Sequence, residues 1–286
     1  MLTTFLWDTI LEDFEIYKLS TSKRSRFGTT SSVSSPIKTS SPDADAAEQA
    51  QKSPFMAARK PLNIAIIGGS CSGLFAGILL KRQGHNVRIL ESVNSSERQG
   101  LAAGVGLSDH VKRFFEENDR LKDISFAVNN HAVEILDANM KVTRKLPFPS
   151  LMTTWDAAYY RLRANFDTLK SAYCSSPPPL DRSEGYGSFE TGKRVLRIEN
   201  VAGEVAILVE DSATNNQVRI TADVIIAADG ANSSIRRQLQ PALQRAEPGY
   251  VIWRGTVPTK DLSRALLSKI ENRTVLYPMK HSYAVM

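Results

Sequence analysis

The stretch Ile64-Ala65-Ile66-Ile67-Gly68-Gly69-Ser70-Cys71-Ser72-Gly73-Leu74 decides how this chain is read. A short apolar run, Asn63–Ile67, ends abruptly in glycine, as a buried strand does. Apolar residues then recur at helical spacing from Ser72 to Gln83, and Gly84 stops the helix. Val87–Leu90 is a second buried strand. Between strand and helix the residues fit G-x-G-x-x-G, with Gly68 first, Ser70 in the second glycine's place and Gly73 third. The first glycine lets the chain turn sharply, the second position admits a pyrophosphate close to the backbone, and the third lets helix and strand pack closely. The helix N-terminus then presents N–H groups and positive dipole to phosphate. At Ser70 the hydroxyl can donate to a phosphate oxygen, while Gly69 supplies flexibility. Glu91 ends the second strand roughly twenty residues past the first glycine, where a carboxylate accepts the ribose hydroxyls of an adenosine. The prediction is a unit binding the ADP half of a dinucleotide through Gly68, Gly69, Ser70, Ser72, Gly73, Leu74 and Glu91. Taken alone it admits NAD or FAD. A carboxylate at Glu91 disfavours a bound NADP, whose 2′-phosphate it would repel.

A second string points the same way. Residues 223–236 read Asp-Val-Ile-Ile-Ala-Ala-Asp-Gly-Ala-Asn-Ser-Ser-Ile-Arg. An apolar strand, expected over Ala222–Ala228, delivers Asp229 and Gly230 to its carboxyl end, the end at which α/β sheets bind ligands. Ser233 then caps a short helix.

The two strings together resemble those of the FAD-dependent aromatic hydroxylases, the group A flavoprotein monooxygenases, with the closer similarity to the 2,6-dihydroxypyridine 3-monooxygenase-like branch. Three further stretches carry the resemblance: Gly68-Gly69-Ser70; Thr154-Trp155-Asp156 with Tyr160-Arg161-Leu162-Arg163; and Gly249-Tyr250-Val251-Ile252-Trp253-Arg254-Gly255. It spans about residues 62–286. It implies bound FAD, with Asp229 on the flavin-side ribose and the motif around it also serving the nicotinamide cofactor. Arg98 and the loop Gln99–Leu107 resemble the stretch that runs beside the flavin. The implied chemistry is reduction of FAD by NAD(P)H, addition of O2 to give a C4a-hydroperoxide, and transfer of one oxygen atom to an aromatic or heteroaromatic ring. The cofactor carries those steps, so no nucleophile or triad is expected, and no catalytic side chain is assigned. The family's third motif, a Gly-Asp pair after the substrate domain, does not occur before Met286. The expectation is therefore a C-terminally truncated substrate domain and a partial flavin site. The alternative is a non-catalytic FAD-domain protein.

The fold class expected is α/β: a Rossmann-like FAD-binding domain with a parallel sheet, plus an incomplete mixed or antiparallel substrate sheet. The FAD-binding domain is placed at 61–132 and 155–248, and the substrate domain at 133–154 and 249–286. Val133–Leu136 and Val142–Leu146 flank Asp137–Met140 as a hairpin. Trp155–Tyr173 reads as a long helix and 175–187 as a loop. Val195–Asn200, Val205–Glu210 and Val218–Ile220 read as antiparallel strands, Val251–Val257 as a late strand and Leu262–Ile270 as a helix. Tyr250 and Trp253 fit core positions better than substrate contacts, and Arg254 a surface ion pair. Arg161 and Arg163 lie two apart on a helix and face different ways, so they cannot both touch a ligand.

Residues 1–60 are set apart. The Ser- and Thr-rich stretch 20–53 has a single aromatic, Phe27, and cannot bury enough apolar surface to offset its ordering, so a disordered leader is expected. Asp8, Glu12, Asp13 and Glu15 argue against a mitochondrial presequence, and no secretory h-region is present. Met56 runs directly into the first core strand and is a candidate start of the functional chain.

The 286 residues are 42% hydrophobic and 23% charged, as in soluble globular proteins, and no apolar run is long enough for a bilayer. The formal charge of +6 is scattered, unlike the basic stripe of a nucleic-acid binder. Cys71 and Cys174 stand far apart, which fits a reducing compartment, here the cytoplasm. His85, His110, His131 and His281 show no metal-ligand spacing.

Overall fold

The computed structural model describes residues 15–17, 60–94, 104–122, 125–201, 204–246, 249–253 and 255–286; at 15–17, 200, 201 and 204 only the backbone is considered. The chain begins with β1 (Glu15–Tyr17), β2 (Asn63–Ile67), α1 (Cys71–Arg82), β3 (Asn86–Leu90), β4 (Gly104–Leu107) and α2 (Asp109–Asn118). It continues with β5 (Val128–Leu136), β6 (Val142–Thr154), α3 (Trp155–Asp167), β7 (Gly187–Glu190), β8 (Lys193–Val201), β9 (Glu204–Asp211) and β10 (Gln217–Ala222). It closes with β11 (Val224–Ala227), α4 (Ser234–Leu239), a 3-10 turn (Thr259–Asp261), α5 (Arg264–Ile270), β12 (Thr274–Pro278) and β13 (Tyr283–Val285).

The central sheet runs β1-β11-β2-β3-β7, parallel except for β1. Alternate residues of β2 face opposite layers. Ile64 and Ile66 join Leu74, Phe75 and Ile78 of α1 and Leu162 and Phe166 of α3. Ala65 and Ile67 join Val195, Ile198, Ile207 and Val209 of the antiparallel sheet β10-β9-β8. Coverage on both faces explains why β2 is an unbroken apolar run instead of an alternating one. A third sheet, β13-β12-β5-β6-β4, is mixed, with β12 parallel to β5 and the other pairs antiparallel. The α/β class with one parallel and one mixed sheet is thus as expected. The third sheet takes in 104–107 and starts at Val128, so its edges cross the domain boundaries drawn from sequence.

Several local expectations need correction. Residues 15–17, inside the stretch expected to be disordered, pair antiparallel with β11; Met56 and the rest of 1–59 lie outside the described residues. The helix expected over Trp155–Tyr173 stops at Asp167, because Thr168 takes a left-handed conformation with φ 57°. The single strand expected over Ala222–Ala228 is divided at Asp223: residues up to Ala222 pair with β9, and those from Val224 with β2. Residues 104–107, expected as loop, form β4 against Leu151–Thr154. Residues 251–253 and 255–257, expected as strand, pair with nothing among the described residues. Trp253 is 92% exposed there and Tyr250 61%, so neither is a core aromatic. Arg254 lies outside the described residues.

Polar groups tie strands of the third sheet together. Glu134 on β5, its side chain buried, meets Lys145 Nζ of β6 at 3.1 Å and Arg273 Nη1 at 3.4 Å. The hydrogen bond from Lys145 holds the Glu134 carboxyl below its ordinary pKa, against burial, which pushes it up. A depressed carboxylate pKa stabilises the fold above the unfolded-state value, and that stability is lost as pH falls through the folded-state value. Native protein is therefore expected to lose thermal stability on acidification below the ordinary carboxylate range more steeply than Glu134→Gln, as read from melts between neutral pH and about pH 3. Phe166 is fully buried, with its ring against Gly77 and Gly187. Phe166→Ala is expected to cost about 3–5 kcal/mol of unfolding free energy, measured by denaturant titration.

Candidate nucleotide-binding site

The glycine turn lies where the carboxyl ends of β2, β3 and β11 meet. Gly68 has φ +104°, and a Cβ on it would lie 2.2 Å from the Ala228 carbonyl oxygen. No L-residue fits there, by conformation or by space. The contact also joins the two sequence strings, since Ala228 directly precedes Asp229. The Gly68 N–H donates to Leu90 O at 2.9 Å and the Ala228 N–H to Ile67 O at 2.7 Å. Gly73 faces back onto the turn: a Cβ there would come within 2.0 Å of Gly68 O. This is the close approach of helix to strand that the third glycine was expected to serve. Ser70 has φ −84° and ψ −168°, extended backbone open to any residue, so serine in the second place carries no conformational cost.

The start of α1 lacks the side-chain cap that the other described α-helices carry. Ser70 makes no side-chain cap, and the first turn carries no acid. By contrast, Ser108, Thr154, Ser233 and Ser263 cap α2, α3, α4 and α5 with their hydroxyls. A positive helix end without an acid or a hydroxyl cap suits phosphate.

Two carboxylates flank this turn. Glu91 is 4% exposed. Its Oε2 accepts the Gly69 N–H at 2.7 Å, and its Oε1 accepts the Val93 N–H at 2.8 Å and the Ser92 hydroxyl at 3.3 Å. It therefore ties the turn to the end of β3, a task the ribose expectation did not include. Asp229 Oδ2 accepts the Ser234 N–H at 2.8 Å and so steadies the start of α4. Asp229 Oδ1 has no hydrogen-bond partner among the described residues. Gly230, with φ +75°, faces open space. Around it Arg236 donates to Ala231 O at 2.6 Å and Arg237 to Asn232 O at 2.7 Å, which fixes the loop after Asp229.

Gly68, Gly69, Gly73, Glu91 and Asp229 thus lie around one turn, with Ser70 and Ser72 at the start of α1 and Gly230 next to Asp229 in open space. Leu74 does not join them: its side chain is wholly buried and its N–H donates to Ser70 O at 3.0 Å. Arg98 and Gln99–Ala103 lie outside the described residues. Arg161 and Arg163 are both buried within protein contacts. Arg161 pairs with Asp119 and donates to Leu121 O, while Arg163 Nη2 pairs with Asp167 at 2.6 Å. Sequence reasoning missed Phe189 of β7, whose ring tip occupies the space beside Gly69. β7 has four residues and one large apolar side chain, so the only signal for it was its place after the proline-rich loop. Two cavities, of about 660 and 90 Å³, lie elsewhere; the larger is lined by Arg82, Asn118, Asp119, Arg120 and Glu184 beyond the far end of α1. Among the described residues no cluster of His, Cys, Asp and Glu suits a metal ion, and no helix is long and apolar enough to cross a membrane.

Comparison with known proteins gives relatives and a family model that bind FAD by description. Residues 181–282 match the model of a family described as an FAD binding domain. An FAD-dependent monooxygenase, atnJ, of Arthrinium sp is 28% identical over 203 residues, 69% of this chain and 43% of that protein. A 2,6-dihydroxypyridine 3-monooxygenase of Paenarthrobacter nicotinovorans is 24% identical over 195 residues, 68% of this chain and 43% of that protein. The solved structure of 2,6-dihydroxypyridine-3-hydroxylase from Arthrobacter nicotinovorans superposes with a TM-score of 0.58 at 20% identity, covering 79% of this chain and 55% of that one. That likeness is one of fold. The homologues of this chain are FAD-dependent monooxygenases, and the chain spans less than half the length of these curated relatives.

Gly73→Ala is expected to push α1 off the turn, lowering the melting temperature by several degrees and abolishing ADP binding in calorimetric titration. Gly84→Ala, with nothing within 4 Å of its Cβ position but φ +87°, is expected to lower the melting temperature and leave ADP binding intact.

Proposed function

We propose that this chain binds FAD and works as a monooxygenase that hydroxylates an aromatic or heteroaromatic ring, with NAD(P)H as electron donor and O2 as co-substrate. One observation carries the reading. Glu91 and Asp229, at the carboxyl ends of β3 and β11, flank a glycine turn in which a Cβ on Gly68 or Gly73 would meet backbone. Such a cradle suits a dinucleotide lying across the crevice, with its pyrophosphate between the adenosine ribose and the flavin-side chain.

The residues present fit that group. The α1 N-terminus and Ser70 would hold the pyrophosphate, Glu91 the adenosine ribose, and Asp229, through Oδ1, the flavin-side chain. Ser72 and Gly230 would border the cofactor with backbone and a small side chain. Arg98, just outside the described residues, is proposed to lie beside it. Bound FAD would supply the oxygen activation and transfer; protein side chains would orient it and keep the ring-binding face dry. The 61–132 and 155–248 segments are proposed as the FAD-binding domain and 133–154 with 249–286 as part of the substrate domain. A cytoplasmic setting is proposed on the two separated, buried thiols of Cys71 and Cys174.

The test is purification of the 286-residue chain with added FAD. Flavin absorbance that co-elutes with the protein, and NADH or NADPH oxidation stimulated by a hydroxylated pyridine or benzoate, are expected. Co-eluting flavin without such oxidation would leave a nucleotide-binding protein and remove the enzyme reading. Glu91→Ala and Asp229→Ala are each expected to weaken FAD binding about tenfold or more, followed by flavin fluorescence; undiminished occupancy in both would contradict the assigned roles.

A further inference from the structure

We propose that Arg163 is a positioning residue for the phosphate turn, acting through the ring of Phe189. The inference deepens the nucleotide-binding reading above and rests on it for its use, though not for its geometry. Arg163, 8% exposed, lies in the last turns of α3. Its guanidinium carbon stands 3.6 Å from the centroid of the Phe189 ring. The guanidinium is held over the ring from two sides. Nε and Nη2 donate to the Asp167 carboxylate at 3.1 and 2.6 Å, and Nη1 donates to the Tyr159 hydroxyl at 2.9 Å. Tyr159 is itself stacked on Trp155, ring centroids 4.7 Å apart.

The other end of the Phe189 ring meets the turn. A Cβ on Gly69 would lie 2.4 Å from the ring's Cζ and 3.0 Å from Glu91 Cβ. The ring tip, Gly69 and the Glu91 side chain therefore converge on one point. Beside it the Gly69 N–H donates to Glu91 Oε2. β7 supports the same place through its backbone, since Glu190 O accepts the Glu91 N–H at 2.8 Å. A ring free to tilt would release Gly69 and the Glu91 carboxylate together. The guanidinium held over it removes that freedom. The arginine thus affects phosphate and ribose recognition without touching either.

Lysine cannot replace the guanidinium. It can still pair with Asp167, but its ammonium is a point charge on a flexible stem and does not stack as a plane. That difference separates positioning from simple charge pairing. The experiment compares the native chain with Arg163→Lys, Phe189→Leu and the double variant. Hydrogen exchange is read on peptides covering residues 67–75, ADP affinity by calorimetry, and stability by thermal melts. Arg163→Lys is expected to melt near the native temperature, to exchange faster across the turn, and to bind ADP about threefold to thirtyfold more weakly, the scale of a desolvated cation–π contact. Phe189→Leu is expected to do the same, and the double variant to be no worse than either single one, because both remove one contact. Native exchange across the turn in Arg163→Lys, or effects of the two substitutions that simply add, would overturn the proposal. A native chain that fails to bind ADP would count against the function proposed above, while the exchange comparison would still decide this inference.

Discussion

Gly68 and Ala228 pass each other with no room for a side chain, and the rest of the site depends on that contact. It joins the carboxyl end of β2 to that of β11, so two strings far apart in sequence present one surface. It also sets where α1 begins, because Gly73 must clear Gly68 in turn. With those backbones fixed, Glu91 and Asp229 fall on either side of the same crevice. Neither carboxylate waits free: Glu91 holds Gly69, and Asp229 holds the start of α4. The groups proposed to recognise the cofactor are also those that keep the cradle in shape, so recognition and local stability are coupled.

Much of this was legible in the residues because its determinants are local. Unbroken apolar runs at 63–67 and 224–227 mean strands covered on both faces, and the layers of α1 with α3 and of β8–β10 supply that cover. The glycine spacing reports a turn whose physics involves only its neighbours. Serine at position 70 looked like a departure, yet its backbone is extended and has no need of glycine.

What escaped the sequence depends on distant partners. β7 is a strand through its parallel pairing with β3, from Val87 against Gly187 to Leu90 against Glu190, and nothing in Gly187-Ser-Phe-Glu announces that pairing. Arg161 and Arg163, two apart on a helix, were correctly expected to face different ways. Their actual neighbours, Asp119 across the fold for one and Phe189 for the other, could not be read from α3 alone. The apolar letters of 251–257 resemble a strand, but strand character needs a partner, and among the described residues none lies beside them.

The pairing of β2 with β11 has a further consequence. Asn63 and Asp223 are 160 positions apart, yet they share a hydrogen bond at the start of the two strands. Closing so long a tether is not the main obstacle, since each doubling of length adds only about 0.6 kcal/mol. Time is the larger one. At roughly 5–20 residues per second, synthesis needs about eight to thirty seconds to reach β11 after β2 has been made. Through that interval β2 presents an apolar edge with its hydrogen-bonding groups unmatched. The strand that carries the nucleotide cradle is thus open on one edge to wrong partners in a growing chain, and the cradle comes into being only at the end of that wait.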